Sequence, residues 1–262
     1  MLIIQCIYLK HIGIILHTIV INPLYKNFDT FTLNIQHNFQ NHANSIHKAR
    51  NELKIIKHEN IDVVVKSFKI PNILRRFYYT YFRDTKAKKS YDYSIKIANF
   101  TPDPIAYIEF YQDNLLADSY FIAKKFAYDF TIKEPIVDRE FKNREQIFIE
   151  LARFTYQLHQ NHILHKDYSP GNILIKKEND SYTFKIVDIN RMEFRELNIE
   201  ERLKNFSKLW MLDDDMSIVA KEYAKLTGED EATCIALAIK HSQALKRKIN
   251  MKKRLKGIEV VD

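Results

Sequence analysis

The stretch ILHKDYSPGNILIKKENDSYTFKIVDIN, Ile163 to Asn190, decides how the rest of the chain is read. Two apolar, β-prone pieces, Ile173 to Lys176 and Thr183 to Val187, flank a polar turn, so the segment reads as loop, strand, turn, strand, and then Asp188. His165, Asp167 and Asn172 stand in the spacing HxDxxxxN, and Asp188 follows Asn172 by 16 residues. A hairpin of this length turns the chain back and returns Asp188 to the side of Asn172. Two residues distant in sequence can then share one metal ion. Taken alone, the motif also reads as a surface turn, because Ser-Pro-Gly-Asn is good turn chemistry.

The regions upstream make the turn reading the weaker one. Phe148, Leu151, Ala152, Thr155, Leu158 and His159 mark one face of a long helix, from about Asn143 to Asn161, that runs straight into the motif. Earlier, ELKII (Glu52 to Ile56) and IDVVVKSF (Ile61 to Phe68) read as an antiparallel hairpin, which puts Lys66 in a strand about 100 residues before Asp167. Kinase-type phosphoryl transfer needs a carboxylate to accept the hydroxyl proton, an amide oxygen and a carboxylate to hold Mg²⁺, and a lysine on the phosphates of ATP. Asp167, Asn172, Asp188 and Lys66 can fill those roles in that order. The plain alternative for Lys66 is an edge-strand lysine reaching solvent. Its usual partner is a helix Glu, yet no Glu occurs between Lys66 and Glu109; the acids there are Asp84, Asp92 and Asp103. Asp103 lies between prolines, so an ion pair must use Asp92 or, second, Asp84. His165 is expected to hold the loop rather than react. That removes the i, i+3 triplet His159, His162 and His165 as a zinc site.

Between these landmarks, a helix follows Pro71, where Ile73, Leu74, Phe77, Tyr78, Tyr81 and Phe82 keep an i, i+4 apolar stripe. A second helix runs from about Lys86 to Asn99 and is broken by Thr101-Pro102-Asp103-Pro104. Strands Ile105 to Phe110 and Ser119 to Ala123, around Gln112-Asp113-Asn114, complete a small antiparallel sheet with the first hairpin. From Asn198 on, the pattern is helical.

Composition closes several routes. The chain of 262 residues has four glycines, Gly13, Gly171, Gly228 and Gly257, against about 18 at average usage. Neither GxGxxG nor a Walker A loop can be written with them. The lobe from Glu52 to Ala123 must therefore cover phosphates without a glycine, with the Arg50-Asn51 turn as the candidate, and Gly171 falls where a tight loop is expected. Of the net charge of +8, most lies in Lys240 to Asp262, where eight basic residues face only Glu259 and Asp262. Such a tail suits an anionic membrane surface or nucleic acid, and a solvated helix face equally well. No base-reading motif accompanies it, so no nucleic acid partner is expected. Two cysteines without CxxC spacing fit a reducing cytoplasm. Leu2 to Ile21 is apolar but interrupted by Lys10, His11 and His17, which reads as an extension rather than a membrane span. Residues 24–50 are polar and weakly patterned; His37, His42 and His47 fall on different helical faces.

The runs IDVVVKSFKIPN, KAKKSYDYSIKIANFTPDPIAYIE and HKDYSPGNILI with VDINRM resemble the lipopolysaccharide kinase family of Kdo and heptose kinases, especially its Bacteroidetes-type members, over about residues 50–212. The resemblance implies an α+β, bilobal, protein-kinase-like fold with a small antiparallel-sheet N-lobe and a mainly helical C-lobe. It also implies ATP-dependent phosphorylation of a sugar in the inner core of lipopolysaccharide. Carried over, Lys66 resembles the phosphate lysine, Asp167 the base, and Asn172 and Asp188 the metal ligands. The chain departs from the pattern in Asp188-Ile189-Asn190, in the missing helix Glu and in the missing glycine-rich loop. The expected divisions are an extension over 1–45, an N-lobe over 46–125, a C-lobe over 126–240 and a basic tail over 241–262. Only ten residues, Ile189 to Asn198, separate Asp188 from the next helix, too few for a peptide-docking segment, so a small or membrane-borne hydroxyl substrate is expected. The tail would then meet anionic lipid at the cytoplasmic face of the inner membrane. Competing readings are another small-molecule kinase, of the aminoglycoside-phosphotransferase type, and a pseudokinase binding module.

Overall fold

Alternating Val, Ile and Leu in the first half of the chain build one seven-stranded sheet in the computed structural model, which describes residues 2–9, 14–42, 45–48, 51–68, 72–179 and 181–259. Its strands are β1 (Leu2–Leu9), β2 (Ile14–Ile21), β3 (Ser45–Lys48), β4 (Asn51–His58), β5 (Ile61–Phe68), β6 (Pro104–Gln112) and β7 (Leu115–Lys124). They lie in the order β1-β2-β6-β7-β5-β4-β3, every neighbouring pair antiparallel. The β6–β7 hairpin turns at Asp113-Asn114, both left-handed at φ 53° and 57°, the conformation that a twist-matched two-residue turn requires. The chain divides into two units by its internal contacts, Met1–Phe126 and Ala127–Asp262.

In the first unit, a 3₁₀ turn at Pro23–Phe28, α1 (Asp29–Leu33) and α2 (Ile35–Asn41) cover one face of the sheet. Phe28, Phe31, Ile35 and Phe39 pack there on Ile19, Ile21, Val63, Val65, Ile108 and Ile122. The segment expected as a poorly specified extension over 1–45 is thus built into the unit from Ile14 on, with β2 paired to β6 from Ile15↔Gln112 to Ile21↔Ala106. Its apolar residues recur at helical spacing and cover a face that the sheet would otherwise expose. The Asn and His between them hide the stripe. α3 (Ile73–Tyr81) lies along β7, bonded to its backbone at Leu116, and the opposite face carries α4 (Lys86–Ile97), whose Ala87 and Tyr91 pack on Phe68 and Tyr107. The apolar stripe of α3 faces outward, and no residue of that helix is buried.

The second unit is mainly helical. Short β8 (Phe130–Thr131) and α5 (Lys133–Val137) lead into α6 (Arg144–Gln160), then β9 (Ile163–His165), β10 (Ile173–Glu178), β11 (Ser181–Ile186) and β12 (Met192–Phe194). β8, β10 and β11 form a three-stranded sheet, and β9 pairs with β12. α7 (Ile199–Asn205), α8 (Asp213–Thr227) and α9 (Glu231–Arg254) complete the unit. α7 opens with a reciprocal Asn198–Glu201 capping box, and α8 stops at left-handed Gly228. Phe148, Leu151, Phe206, Met216, Val219 and Tyr223 are buried in its core. Residues 241–254, read as the start of a separate basic tail, continue α9 without a break. Lys246 Nζ donates to Met211 O at 2.6 Å, and Lys253 lies 5.8 Å over the Trp210 ring.

Candidate active site

β9 ends on His165, which is 1% exposed and holds the loop that follows. Its Nε2–H donates to Val187 O at 3.0 Å, and its Nδ1 accepts the Asp167 backbone N–H at 3.1 Å. Burial lowers its pKa, so the ring is neutral, as this pairing of one donor with one acceptor demands. Behind it, Asn205 Nδ2 donates to His165 O at 3.0 Å, and Asn205 Oδ1 accepts from His159 Nε2 at 3.2 Å. His159 Nδ1 accepts from the Tyr223 hydroxyl at 2.7 Å, and burial brings its pKa down to about 4. His159 therefore belongs to a buried hydrogen-bond chain. Nothing in sequence spacing marks Asn205 or Tyr223 as its partners.

The loop itself is closed from within. Ser169 N–H and Asn172 Nδ2 both donate to Asp167 O, at 2.7 and 2.9 Å. Tyr168 is fully buried, its hydroxyl on Thr155 Oγ1 at 2.7 Å. The β10–β11 pairing, Ile173↔Ile186, brings Val187 N–H to Asn172 O at 2.9 Å and so sets Asp188 beside Asn172. Asp188 is left-handed, φ 56° and ψ 43°, a conformation that Asp tolerates better than most residues. Its Oδ1 accepts from Asn190 Nδ2 at 2.8 Å. Asp167, half-exposed, has Arg191 Nη1 3.6 Å from its Oδ2. Arg191 is a neighbour that the motif did not single out. Gly171 has an ordinary φ, and a Cβ there would meet nothing within 4 Å, so the loop does not need a glycine at this point.

The structure thus brings Asp167, Asn172 and Asp188 together in the second unit. Asn172 commits its amide N–H to Asp167 O, which leaves its side-chain carbonyl oxygen, next to Asp188, as an oxygen that could face a cation. Mg²⁺ is bound by one or two protein oxygens of this kind and completes its octahedron with phosphates and water. No group of three His, Cys, Asp or Glu among the described residues forms a cage that could hold a metal by itself. The donor set fits a cation shared with a phosphate ligand.

Lys66 and Asp92 lie in the first unit. Lys66 stands on β5 opposite Leu53 and Phe121, two residues before Phe68, on the sheet face that α4 covers. Its Nζ is 5.4 Å from the Phe68 ring centroid. Asp92, the expected partner of Lys66, is engaged instead by Lys88 at 2.6 Å, and the second choice, Asp84, meets the same lysine at 3.4 Å. A lysine one turn away on the same helix is nearer than one on a strand below. The buried carboxyl on this side of the sheet is Glu109. It accepts from Thr85 Oγ1 at 2.5 Å and from the Tyr111 hydroxyl at 2.8 Å, so it pins the α4 N-cap to β6, and burial raises its pKa. Arg50, offered as cover for phosphates, lies outside the described residues.

Residues 130–230 match the model of the lipopolysaccharide kinase (Kdo/WaaP) family, an interval that holds Asp167, Asn172 and Asp188. The sequence matches no curated protein. Among solved structures, WaaP in complex with acyl carrier protein is similar at a TM-score of 0.55, over 87% of this chain and 98% of that chain, with 14% identity. The Rio2 kinase of Chaetomium thermophilum, solved as its ADP/Mg²⁺-phosphoaspartate complex, is similar at a TM-score of 0.43, over 88% of this chain and 74% of that one, with 15% identity. The likeness to WaaP shows an α+β, protein-kinase-like fold, with antiparallel sheet in the first unit and helices dominating the second.

Proposed function

We propose, from the match of residues 130–230 to the lipopolysaccharide kinase (Kdo/WaaP) family model, that this kinase transfers the γ-phosphoryl group of ATP to a Kdo or heptose hydroxyl of the lipopolysaccharide inner core. The observation that carries the reading is the closed loop in which Asp167 O is held by both Ser169 and Asn172 while Val187 ties Asp188 to Asn172. Asp167 accepts the proton of the acceptor hydroxyl. Its backbone is fixed on three sides, by His165, Ser169 and Asn172, so its carboxylate needs little reorientation. Asn172 and Asp188 would hold Mg²⁺, which when bound neutralises charge on the phosphates. Lys66 is assigned to the phosphates. Asp92 is assigned to steadying it, which requires Asp92 to exchange Lys88 for Lys66.

The acceptor class rests on chain economy after Asp188. Met192–Phe194 pairs back onto Ile163–His165, and Arg195 is tied to Glu201 at 2.7 Å, so these residues stiffen the loop rather than present a peptide platform. That suits a sugar. The basic end of α9, Lys252, Lys253, Arg254 and Lys256 with exposed Met251 and Leu255, is assigned to anionic lipid or to the phosphates of a lipid-anchored acceptor. The test incubates purified protein, ATP and Mg²⁺ with Kdo-lipid A, heptosylated core and aminoglycosides, and reads products by mass spectrometry. Phosphate on Kdo or heptose is expected. Transfer to aminoglycosides alone would replace the acceptor assignment, and no transfer to any of the three would leave a binding module.

A further inference from the structure

Helix α3 is mounted with its polar side inward. Arg76 Nε donates to Leu116 O at 2.6 Å, and Thr80 Oγ1 accepts the Leu116 N–H at 3.0 Å, so two polar residues fasten the helix to β7. Ile73, Leu74, Phe77, Tyr78 and, just past the helix, Phe82 are then left exposed, as is the ring of Tyr81, whose hydroxyl reaches back to Asn114 O at 3.5 Å. Leu74 is 78% and Phe82 69% exposed, and none of the six is buried. A helix that meets only its own core and water turns the other way. The outward aromatics also gather into one cluster, Phe77 on Tyr81 at 4.9 Å and Tyr78 stacked on Phe82 at 6.3 Å between centroids. A contiguous apolar surface of this kind marks an interaction site.

Charge identifies the partner. Between Asn72 and Lys89 the chain has six basic residues, Arg75, Arg76, Arg83, Lys86, Lys88 and Lys89, and one acid, Asp84. Arg75 and Arg83 are exposed beside the aromatic cluster. A second copy of this chain would bring the same sign of charge to the face and be repelled. The aromatics project from a convex helix rather than line a groove, and a fluid surface can receive them without a complementary shape. Phe and Leu on one side with Arg and Lys at the border is the composition of a helix lying in a headgroup layer. No described helix is long and apolar enough to cross a membrane, so contact at the interface is the form that attachment by described helices takes.

We propose that α3 with Phe82 and Arg83 is an interfacial element that docks the first unit on an anionic lipid bilayer. Its apolar side chains enter the headgroup boundary, and Arg75 and Arg83 meet lipid phosphates. The role is independent of the acceptor sugar and of the basic end of α9. The test is sedimentation of the full chain with vesicles of phosphatidylcholine containing about one third phosphatidylglycerol, and with phosphatidylcholine alone, without ATP or acceptor. Wild type is expected on the anionic vesicles, with binding weakened by salt. Leu74→Ser/Phe77→Ser/Phe82→Ser and Arg75→Glu/Arg83→Glu should each lower partitioning by about tenfold or more while unfolding at the wild-type temperature. A Lys252→Gln/Lys253→Gln/Arg254→Gln/Lys256→Gln variant should keep most of it. The proposal is overturned if the α3 variants bind like wild type, if only the α9 variant loses binding, or if the α3 variants lose an acidic protein partner but not vesicles. Because the vesicles contain no phosphoryl donor or acceptor, neither result bears on the kinase assignment.

Discussion

Each nitrogen of the His165 ring has a partner in the loop it supports, Val187 O on one side and the Asp167 N–H on the other. Replacing it with Leu removes both hydrogen bonds and keeps the volume, so Asp167 should lose its position without losing its carboxylate. For His165→Leu we expect kcat lower by about 10²-fold with KM for ATP little changed, read from steady-state kinetics. His159 carries a second prediction. Burial moves its pKa from 6.5 to about 4, so between those values the unfolded chain binds a proton that the folded chain refuses. Stability is complete above pH ~6.5 and falls as the pH drops toward 4, by about 3 kcal/mol for this group. His165 is shifted in the same direction and adds to the slope. Urea unfolding from pH 7 to 4.5 should show the loss, and His159→Gln should flatten it. The structural role of His165 was legible from its motif; the chain from His159 to Tyr223 was not, because its members are 64 residues apart.

α6 and α8 are joined at their N-terminal turns by an ion pair between Arg144 and Asp215, the latter 1% exposed, with Arg139 at 3.4 Å as a second cation. Burial pushes the Asp215 carboxyl up while Arg144 pulls it down. Asp215→Ala would leave the largely covered Arg144 guanidinium with Pro135 O and the Phe148 ring but no counter-charge, and a loss of about 3 kcal/mol is expected in chemical denaturation. Elements differed in how far their sequence exposed them. The β4–β5 and β6–β7 hairpins follow from β-rich runs and turn residues, and α6 from its unbroken apolar face. α1 and α2 did not stand out, because Asn and His separate Phe28, Phe31, Ile35 and Phe39. For α3 the stripe itself was plain, but periodicity gives amphipathicity and not which side turns inward. Arg76 and Thr80, bonded to the backbone of Leu116, decide that.

Across the whole chain, the candidate site divides between what is local and what is not. Asp167, Asn172 and Asp188 lie within 22 consecutive residues whose hairpin has a readable length, so their meeting could be read from the sequence. Lys66 and Asp92 belong to the first unit, where the engagement of Asp92 by Lys88 depends on helix geometry that no spacing reveals. Lys88→Met should therefore strengthen ATP binding if Asp92 turns to Lys66, a change that calorimetric titration would resolve. The scarcity of glycine costs nothing at Gly171, since the loop holds without a special φ. The chemistry assigned to the molecule rests most heavily on one carboxylate. Single-turnover phosphoryl transfer to Kdo-lipid A or heptosylated core, measured for wild type and Asp167→Asn with ATP affinity followed in the same samples, tests it directly. Wild type should transfer, and the variant should bind ATP equally well while losing on the order of 10²–10⁴ in rate. Equal rates in the two proteins would remove Asp167 from the reaction.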